Sequence, residues 1–315
     1  MLDLHRLRLL RELKHRGTLA AVASALSYSP SSISQQLSVL EREVGVPLLE
    51  PVGRRVRLTP QAEILVAHTE VVLERLERAE AELVASLRDI SGVLRVAAFQ
   101  TAALALVPDA LDVLRDAHPG LRVEVTQHEP ESALPALLSR DFDLVVTEEY
   151  PGDPMPRPPE IEFEELCEDE IRLALPSSAG SPPAVAGASG LVPAQSRATV
   201  LAEAAGRPWV MEPAGTASRQ WAMRLCRDAG FEPDVRFESS DLLLHLRLVE
   251  RGHAAALLPD LVWAGRPPTV TVLALPGERR TRRLFTATRR GGGAHPAVRA
   301  CRAALHEAAR FALPH

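Results

Sequence analysis

The chain has 315 residues, 46% hydrophobic and 24% charged, which is the balance of a globular protein with room for two or three domains. No apolar run nears the ~18 residues that suggest a membrane span. The opening MLDLHRLRLLRELKHRG is charged throughout, so neither an anchor nor a secretory signal is expected and the cytoplasm is the expected compartment. The net charge of −5 is unevenly divided, since residues 1–60 hold nine Lys and Arg against five Asp and Glu while the rest of the chain is net acidic. A basic head on an acidic body suits a protein whose head meets nucleic acid.

The first helix places Leu4, Leu7 and Leu10 or Leu13 inward. Residues 17–44 read as a short helix, a tight turn and a second helix. Leu19, Val22, Ala23 and Leu26 recur at helical spacing. Ser29 is a natural N-cap and Pro30 fits the first helical position, where its missing N–H costs nothing. In the second helix Ile33, Leu37, Leu40 and Val44 form one buried stripe. Ser31, Gln35, Ser38 and Arg42 lie opposite, with Ser32 and Ser34 beside them. Hydroxyls, an amide and a cation suit a helix that enters a major groove and touches bases and phosphates. An ordinary solvated face would satisfy the same pattern. After Gly45, the segment VPLLEPVGRRVRLTP reads as a hairpin whose second strand alternates Val56 and Leu58 with Arg55 and Arg57. With Arg54 it forms a basic wing, and directly behind a helix-turn-helix such a wing favours a phosphate clamp.

The run from Leu4 to Pro60 resembles the winged helix-turn-helix of LysR-type transcriptional regulators. That family's second helix carries a motif close to S-x-x-x-x-S-x-Q-[IL]-x-x-LE-x-x-x-G, matched here by Ser29, Ser34, Gln36, Leu37, Leu40, Glu41 and Gly45. Three positions depart from the usual pattern: Leu49 stands for Phe, Pro51 for Arg and Ala62 for Gly. The resemblance implies that the Pro51 departure costs the wing one phosphate contact and leaves the fold intact.

Thr59-Pro60 starts a long helix with no Gly or Pro up to Leu87. Ala62, Leu65, Thr69, Val72, Leu76, Ala79 and Leu83 step as a heptad seam, which predicts pairing with a second copy in a homodimer or homotetramer. The resemblance implies the same, because this linker helix is the family's dimerisation element. A dimer would set two recognition helices on two half-sites of double-stranded DNA.

Beyond Ser91-Gly92 strands and helices alternate. Strands are expected at 93–99, 121–126 and 143–147, with helices at 103–117 and 130–139, a βαβαβ order that implies a parallel sheet. The proline-rich 150–160 reads as an extended crossing, and separate strands are expected at 161–166 and 171–175. Residues 177–198 read as a long loop around short elements. Strands near 209–211, 235–238, 254–258, 269–275 and 283–288 and helices at 216–229, 241–251 and 296–311 complete the pattern. The GGGAH run at 291–295 reads as a flexible surface turn.

The expected fold class is therefore α/β with an α-rich head: a winged helix-turn-helix at 1–59, a linker helix at 60–90 and an effector domain at 91–315. The body resembles the family's two-lobed effector domain, shaped like a periplasmic binding protein, through LRVAAFQTAALALVPDAL, HPGLRVEV, DFDLVV and RGHAAALLPDL. Lobe one is expected at 91–150 with 265–315, and lobe two at 160–264. A small-molecule effector is expected in the crevice beyond the carboxyl ends of the strands. Its candidate residues are Gln100, Thr101, His128, Thr147 and Glu148 from lobe one, and Gly215, Thr216, Ser239 and Ser240 from lobe two. Helix N-termini at several of these positions suit an anionic ligand, although Thr101, Thr216 and Ser240 serve equally well as plain caps.

Enzymatic signatures are missing: no G-x-S-x-G elbow, no phosphate-binding G-x-x-x-x-G-K-[ST] loop and no G-x-G-x-x-G fingerprint. The ten histidines form no metal-ligand cluster, so no cofactor or metal is expected. Cys167, Cys226 and Cys301 lie far apart; a redox-sensing regulator is the alternative they leave open, and a solute-binding module without DNA binding is the other.

Overall fold

The computed structural model describes residues 2–26, 28–53, 55–87, 89–177, 201, 204–275 and 280–313. The expected loop at 177–198 falls almost wholly outside the described residues, as does Arg54. Three helices open the chain: α1 (Leu4–Arg16), α2 (Leu19–Ala25) and α3 (Pro30–Val44). Each starts on a side-chain cap. Asp3 accepts from the Arg6 N–H, Thr18 from Ala21 and Ser29 from Ser32, with Pro30 in the first turn. The stripe Ile33, Leu37 and Leu40 is sealed against Leu7, Leu10, Leu13 and Val22. Each such side chain contributes roughly 1.5–3 kcal/mol when fully buried. Strands β1 (Leu49–Val52) and β2 (Arg55–Leu58) form the antiparallel wing, with Leu49 opposite Leu58 and Val52 opposite Arg55.

The linker helix α4 (Pro60–Ala85) begins at the Thr59 cap and runs for 26 residues, about 39 Å at 1.5 Å per residue. Its expected seam is divided. Ala62 and Thr69 are buried within this chain, whereas Val72, Leu76, Ala79 and Leu83 are exposed. The line that α4 turns towards its own chain is Ala62, Val66, Thr69, Leu73, Glu77 and Ala81. The cause is a platform of bare backbone. A Cβ on Gly291, which sits at φ +87°, would lie 2.7 Å from the carbonyl oxygen of Glu74, and one on Gly292 would lie 2.9 Å from Glu77 Oε2. The glycine run expected as a flexible surface turn is instead the surface on which α4 rests.

In the body, β3 (Gly92–Ala98), β4 (Leu121–Gln127) and β5 (Leu144–Glu149) are parallel in the order β5-β3-β4. The single helix expected over 103–117 is two, α5 (Gln100–Ala105) and α6 (Val107–Ala117). Pro108 in the first turn of α6 explains the break, since its ring and missing N–H disrupt a continuous helix. One face of the sheet packs on α6 and α10 (Pro296–Ala312) through Val96, Leu114 and Leu305; the other packs on α7 (Pro130–Leu138) through Ala97, Val145 and Leu137.

The two strands expected at 161–166 and 171–175 are one 15-residue strand, β6 (Ile161–Leu175). Its first part pairs with β11 (Thr281–Arg289), with a bulge between Leu284 and Phe285. Its last residues pair with β9 (Ala256–Pro259) on one side and β10 (Thr271–Ala274) on the other. The unbroken β6 therefore carries the chain from lobe one into lobe two, a passage expected at 150–160. The strand at 271–274 belongs with lobe two, because its partner is the far half of β6, so the expected split at 264 moves to about 275. Lobe two is completed by β7 (Pro208–Met211), α8 (Ala217–Asp228), β8 (Asp234–Glu238) and α9 (Leu242–Glu250). Val210 donates to the Ala255 carbonyl, which joins the β7-β8 pair to the strand leading into β9.

Gly291→Ala combines a left-handed backbone with a clash against α4. It is expected to lower stability by about 2 kcal/mol or more, read by urea unfolding, and to expose the 85–92 junction to limited proteolysis. Wild-type values on both counts would show that α4 does not rest on this platform.

Candidate DNA interface and effector cleft

The outer face of α3 leaves Ser31, Ser34, Gln35, Ser38 and Arg42 exposed, while Ser32 is half-buried and spends its N–H on the Ser29 cap. Two weak internal contacts organise this face: Ser29 and Ser31 hydroxyls are 2.9 Å apart, and Arg42 Nε lies 3.4 Å from the Ser38 carbonyl. Gln36 points the other way and accepts from Arg6 Nε at 3.1 Å. The wing is held at a fixed angle to α3 by Glu41. Its carboxylate accepts the backbone N–H groups of Leu48 and Leu49 at 2.8 and 3.0 Å. Thr59 adds a hydroxyl bond to the Pro47 carbonyl at 3.0 Å. Arg57 is exposed and ion-paired with Glu50 (Nε–Oε1 2.7 Å), and register places Arg55 two residues before it. The sequence pointed to the polar face of α3; the part that Glu41 plays was hidden, because its partners are backbone groups across a turn.

Between the lobes the organising group is one the sequence did not reveal. Arg282, at the start of β11, is 1% exposed. Its guanidinium donates to Asp169 Oδ2 at 2.7 and 3.0 Å, to Glu148, and to the Thr101 hydroxyl at 2.6 Å. Its carbon sits 5.0 Å from the centre of the Phe99 ring. The two carboxylates hold Arg282 charged well above its ordinary range despite its burial. Asp169 also accepts the Leu261 N–H at 3.1 Å, which ties lobe two to the same cluster.

Beside this cluster lies a small cavity of about 40 Å³. Tyr150, Glu212, Ser218, Arg219, Trp221 and His245 contribute its polar and aromatic lining. Burial pushes Glu212 up to about 8, reinforced by repulsion from Glu148 and opposed by a hydrogen bond from Ser218. Burial likewise pushes Glu129 up to about 7, with Glu148 and Glu131 adding to it. Glu148 itself is raised by burial, against the pull of Arg282. His245 is lowered by burial, and its Nε2 lies 2.7 Å from the Ser239 carbonyl.

Of the expected effector residues, Thr101 and Glu148 meet at Arg282. Gln100 bridges the lobes: its amide donates to Asp241 and its oxygen accepts the Leu242 N–H at 2.6 Å. Thr216 caps α8 and lies 3.2 Å from the hydroxyl of Ser218, which lines the cavity. The Ser239 carbonyl holds His245, which lines the cavity. Four others are placed differently. Thr147 is fully buried and donates to the Met155 sulfur at 3.3 Å. His128 is paired with the Ser132 hydroxyl at 2.6 Å and stacks edge-on against Phe142. Gly215 and Ser240 are exposed. The cap of α9 is Asp241, which accepts from Leu243 and Leu244. The N–H groups that motivated an anionic ligand at α9 are thus taken by a carboxylate and by Gln100. The two cations at the cleft are engaged too, Arg282 as above and Arg219 with the Glu212 carbonyl and Glu238.

Cys167, Cys226 and Cys301 are free, and burial pushes each thiol up to about 12. A thiol held so far from ionisation is a poor nucleophile, which tells against redox sensing. Among the described residues no group of three or more His, Cys, Asp or Glu is placed to hold a metal ion, and no helix is long and apolar enough to cross a membrane.

Two family models match the chain. Residues 88–310 match the LysR substrate binding domain, and residues 4–63 match the bacterial regulatory helix-turn-helix protein, lysR family. The chain is 25% identical over 271 residues to the transcriptional dual regulator GltC of Bacillus subtilis, covering 86% of this chain and 85% of that protein. It is 29% identical over 292 residues to the probable regulator LrrA of Synechococcus elongatus, covering 87% of each. A full-length OxyR variant from Pseudomonas aeruginosa shares the fold, with a TM-score of 0.66 at 18% identity over 100% of this chain and 99% of that one.

The raised carboxyls set a direction for the pH dependence. Unfolded, Glu129 and Glu212 lose their protons near the ordinary 4.5; folded, they keep them to about 7 and 8. Over that window the folded state binds more protons, so stability falls as pH rises from about 5 to 8. Melting temperatures across this range should decline, and Glu212→Gln, which cannot ionise, should flatten the decline. An equally steep slope in the variant would remove Glu212 as its source.

Proposed function

This chain belongs to the LysR family of DNA-binding transcriptional regulators, and we propose that it reads its operator with two copies of α3 and responds to a small molecule between its lobes. The observation that carries the DNA reading is the division of α3. Ile33, Leu37 and Leu40 are sealed in the head core, while Ser31, Ser34, Gln35, Ser38 and Arg42 are exposed on the opposite side. Hydroxyl and amide groups read base edges, and Arg42 and the wing arginines Arg54, Arg55 and Arg57 neutralise phosphates. Ser32, occupied by the cap, supports the N-terminal turn that approaches the backbone.

Pairing follows from α4. Its exposed apolar side chains Val72, Leu76 and Leu83 lie next to, and not on, the line that faces its own chain. A second copy covers them and brings two heads to one palindromic site. The division of labour is a head over 1–59, a linker helix over 60–90 and a sensing body over 91–315. The effector sits where Gln100, Glu148, Glu212 and His245 surround the passage between lobes, and its binding shifts the balance between lobe arrangements. We assign the chain no catalytic activity and place it in the cytoplasm, where its DNA lies.

A gel-shift assay with DNA upstream of its own coding region tests the reading; binding should be specific and should weaken steeply with salt. No such binding there or at neighbouring promoters would overturn it. Gln35→Ala should lose about tenfold in discrimination at one base pair while remaining dimeric, and unchanged sequence preference would strike Gln35 from the contacts. Leu76→Glu should run as a monomer in light scattering; a wild-type mass would refute the proposed seam.

A further inference from the structure

Two neighbouring strands of lobe one run from the cleft to the linker helix, and both are tied at each end. At the cleft, Arg282 of β11 pairs with Glu148 of β5. At the other end, Arg289 of β11 reaches Asp143, the residue just before β5, at 3.3 Å. Between these ties the strands are paired antiparallel from Arg283 opposite Glu149 to Ala287 opposite Val145. The two arginines are seven positions apart on β11, about 23 Å at 3.3 Å per residue.

The far end grips the part of the chain that carries the DNA-reading helix. Arg289 Nε donates to Glu77 Oε1 of α4 at 2.7 Å, and its Nη1 donates to the carbonyls of both Leu137 and Phe142. Those carbonyls flank a sharp corner, Ser139-Arg140-Asp141, in which Arg140 is held at φ +64°. Arg140 Nη2 meets the same Glu77 oxygen at 2.8 Å. Arg16 of α1 donates to the Ser139 carbonyl at 3.2 Å and to Asp141 at 3.1 Å. One corner of the body thus holds both the linker helix and the head.

The grip is narrow and incompletely satisfied. Glu77 Oε2 and Arg140 Nε are buried without a hydrogen-bond partner among the described residues. A buried polar atom left unpaired is costly, so any rearrangement that completed the network would be favoured. Space for movement is present. A cleft of about 580 Å³ separates α1 and α2 from the corner, bordered by Arg8, Glu12, Tyr28 and Asp141, and another of about 300 Å³ lies between α4 and Arg289.

We propose that Glu77, Arg140 and Arg289 are a latch that positions the DNA-reading head, and that the cleft acts on this latch through the β5–β11 pair anchored by Glu148 and Arg282. The proposal rests on the regulator reading above. A ligand that draws Glu148 or Thr101 away from Arg282 frees one end of the pair. A hydrogen-bonded ladder resists internal slip, so the displacement emerges at Asp143 and Arg289, where it changes the hold on Glu77. By reciprocity, operator binding must also bias the cleft.

A double-mutant cycle tests this without an identified effector. Glu148→Gln removes the charge that anchors the pair at the cleft, and Glu77→Gln removes the charge held by the latch. Operator Kd is measured for the wild type, both single variants and the double variant, using the full chain. Glu148→Gln alone should change Kd at least fivefold, in the range of ordinary coupling between sites, and less than twofold in the Glu77→Gln background. The same fold-change in both backgrounds, or none in either, would overturn the latch. A purely structural role would lower the melting temperature yet leave the Glu148→Gln effect on Kd intact in both backgrounds. Should Glu148→Gln fail to melt cooperatively, Thr101→Val, which removes only the hydroxyl that receives Arg282, takes its place in the cycle with the same two outcomes. Loss of operator binding by the wild type would instead count against the regulator reading itself.

Discussion

The junction between the lobes is arranged around one buried guanidinium. Arg282 is reached by α5 through Thr101, by β5 through Glu148 and by β6 through Asp169, and the latter continues to the Leu261 N–H in lobe two. Removing one member of such a cluster typically costs about 3–5 kcal/mol, because an uncompensated charge stays behind, whereas replacing the whole cluster with apolar groups is often neutral. Stability alone therefore does not account for it. What the cluster fixes is position: it meets at the point where β6 leaves one lobe for the other, and its charges add to or oppose the shifts that burial imposes on the cleft carboxyls.

The head was legible in the sequence because its determinants are local. Caps at Asp3, Thr18, Ser29 and Thr59 act within three residues, and the stripe Ile33, Leu37, Leu40 is a matter of helical spacing. The strands and helices of the body were legible for the same reason, to within a residue or two at most ends. The cleft was not. Arg282 sits in a run, TRRLF, that reads as one of many charged strand ends, and its partners lie 113, 134 and 181 positions away. The lobe to which 271–274 belongs depends on which strand it pairs with, again a long-range fact. Asp241 took the capping role from Ser240, because a carboxylate one residue later reaches two N–H groups of α9.

The linker helix shows how one pattern serves two packings. An apolar step of three and four describes a stripe but does not say what covers it. Bare backbone at Gly291 and Gly292 brings the body close to Glu74 and Glu77 and rotates one edge of the stripe inward. The rest, from Val72 to Leu83, remains on the surface. The helix is thereby held on one side by its own chain and left with an apolar edge on the other, so any change in how it sits on the body alters the geometry offered to a partner copy.

Gln100 has a consequence of a different kind. Its carboxamide already spans the lobes, filling one helix end of α9 and bonding to that helix's cap. A ligand that binds at the proposed site would compete with a side chain of the protein for the same contacts. The observed affinity of such a ligand would fall short of its intrinsic affinity by the fraction of molecules in which the amide has swung aside. A body that answers weakly at low concentrations and fully at high ones needs no second ligand to set its threshold; an occupant built into the chain does so.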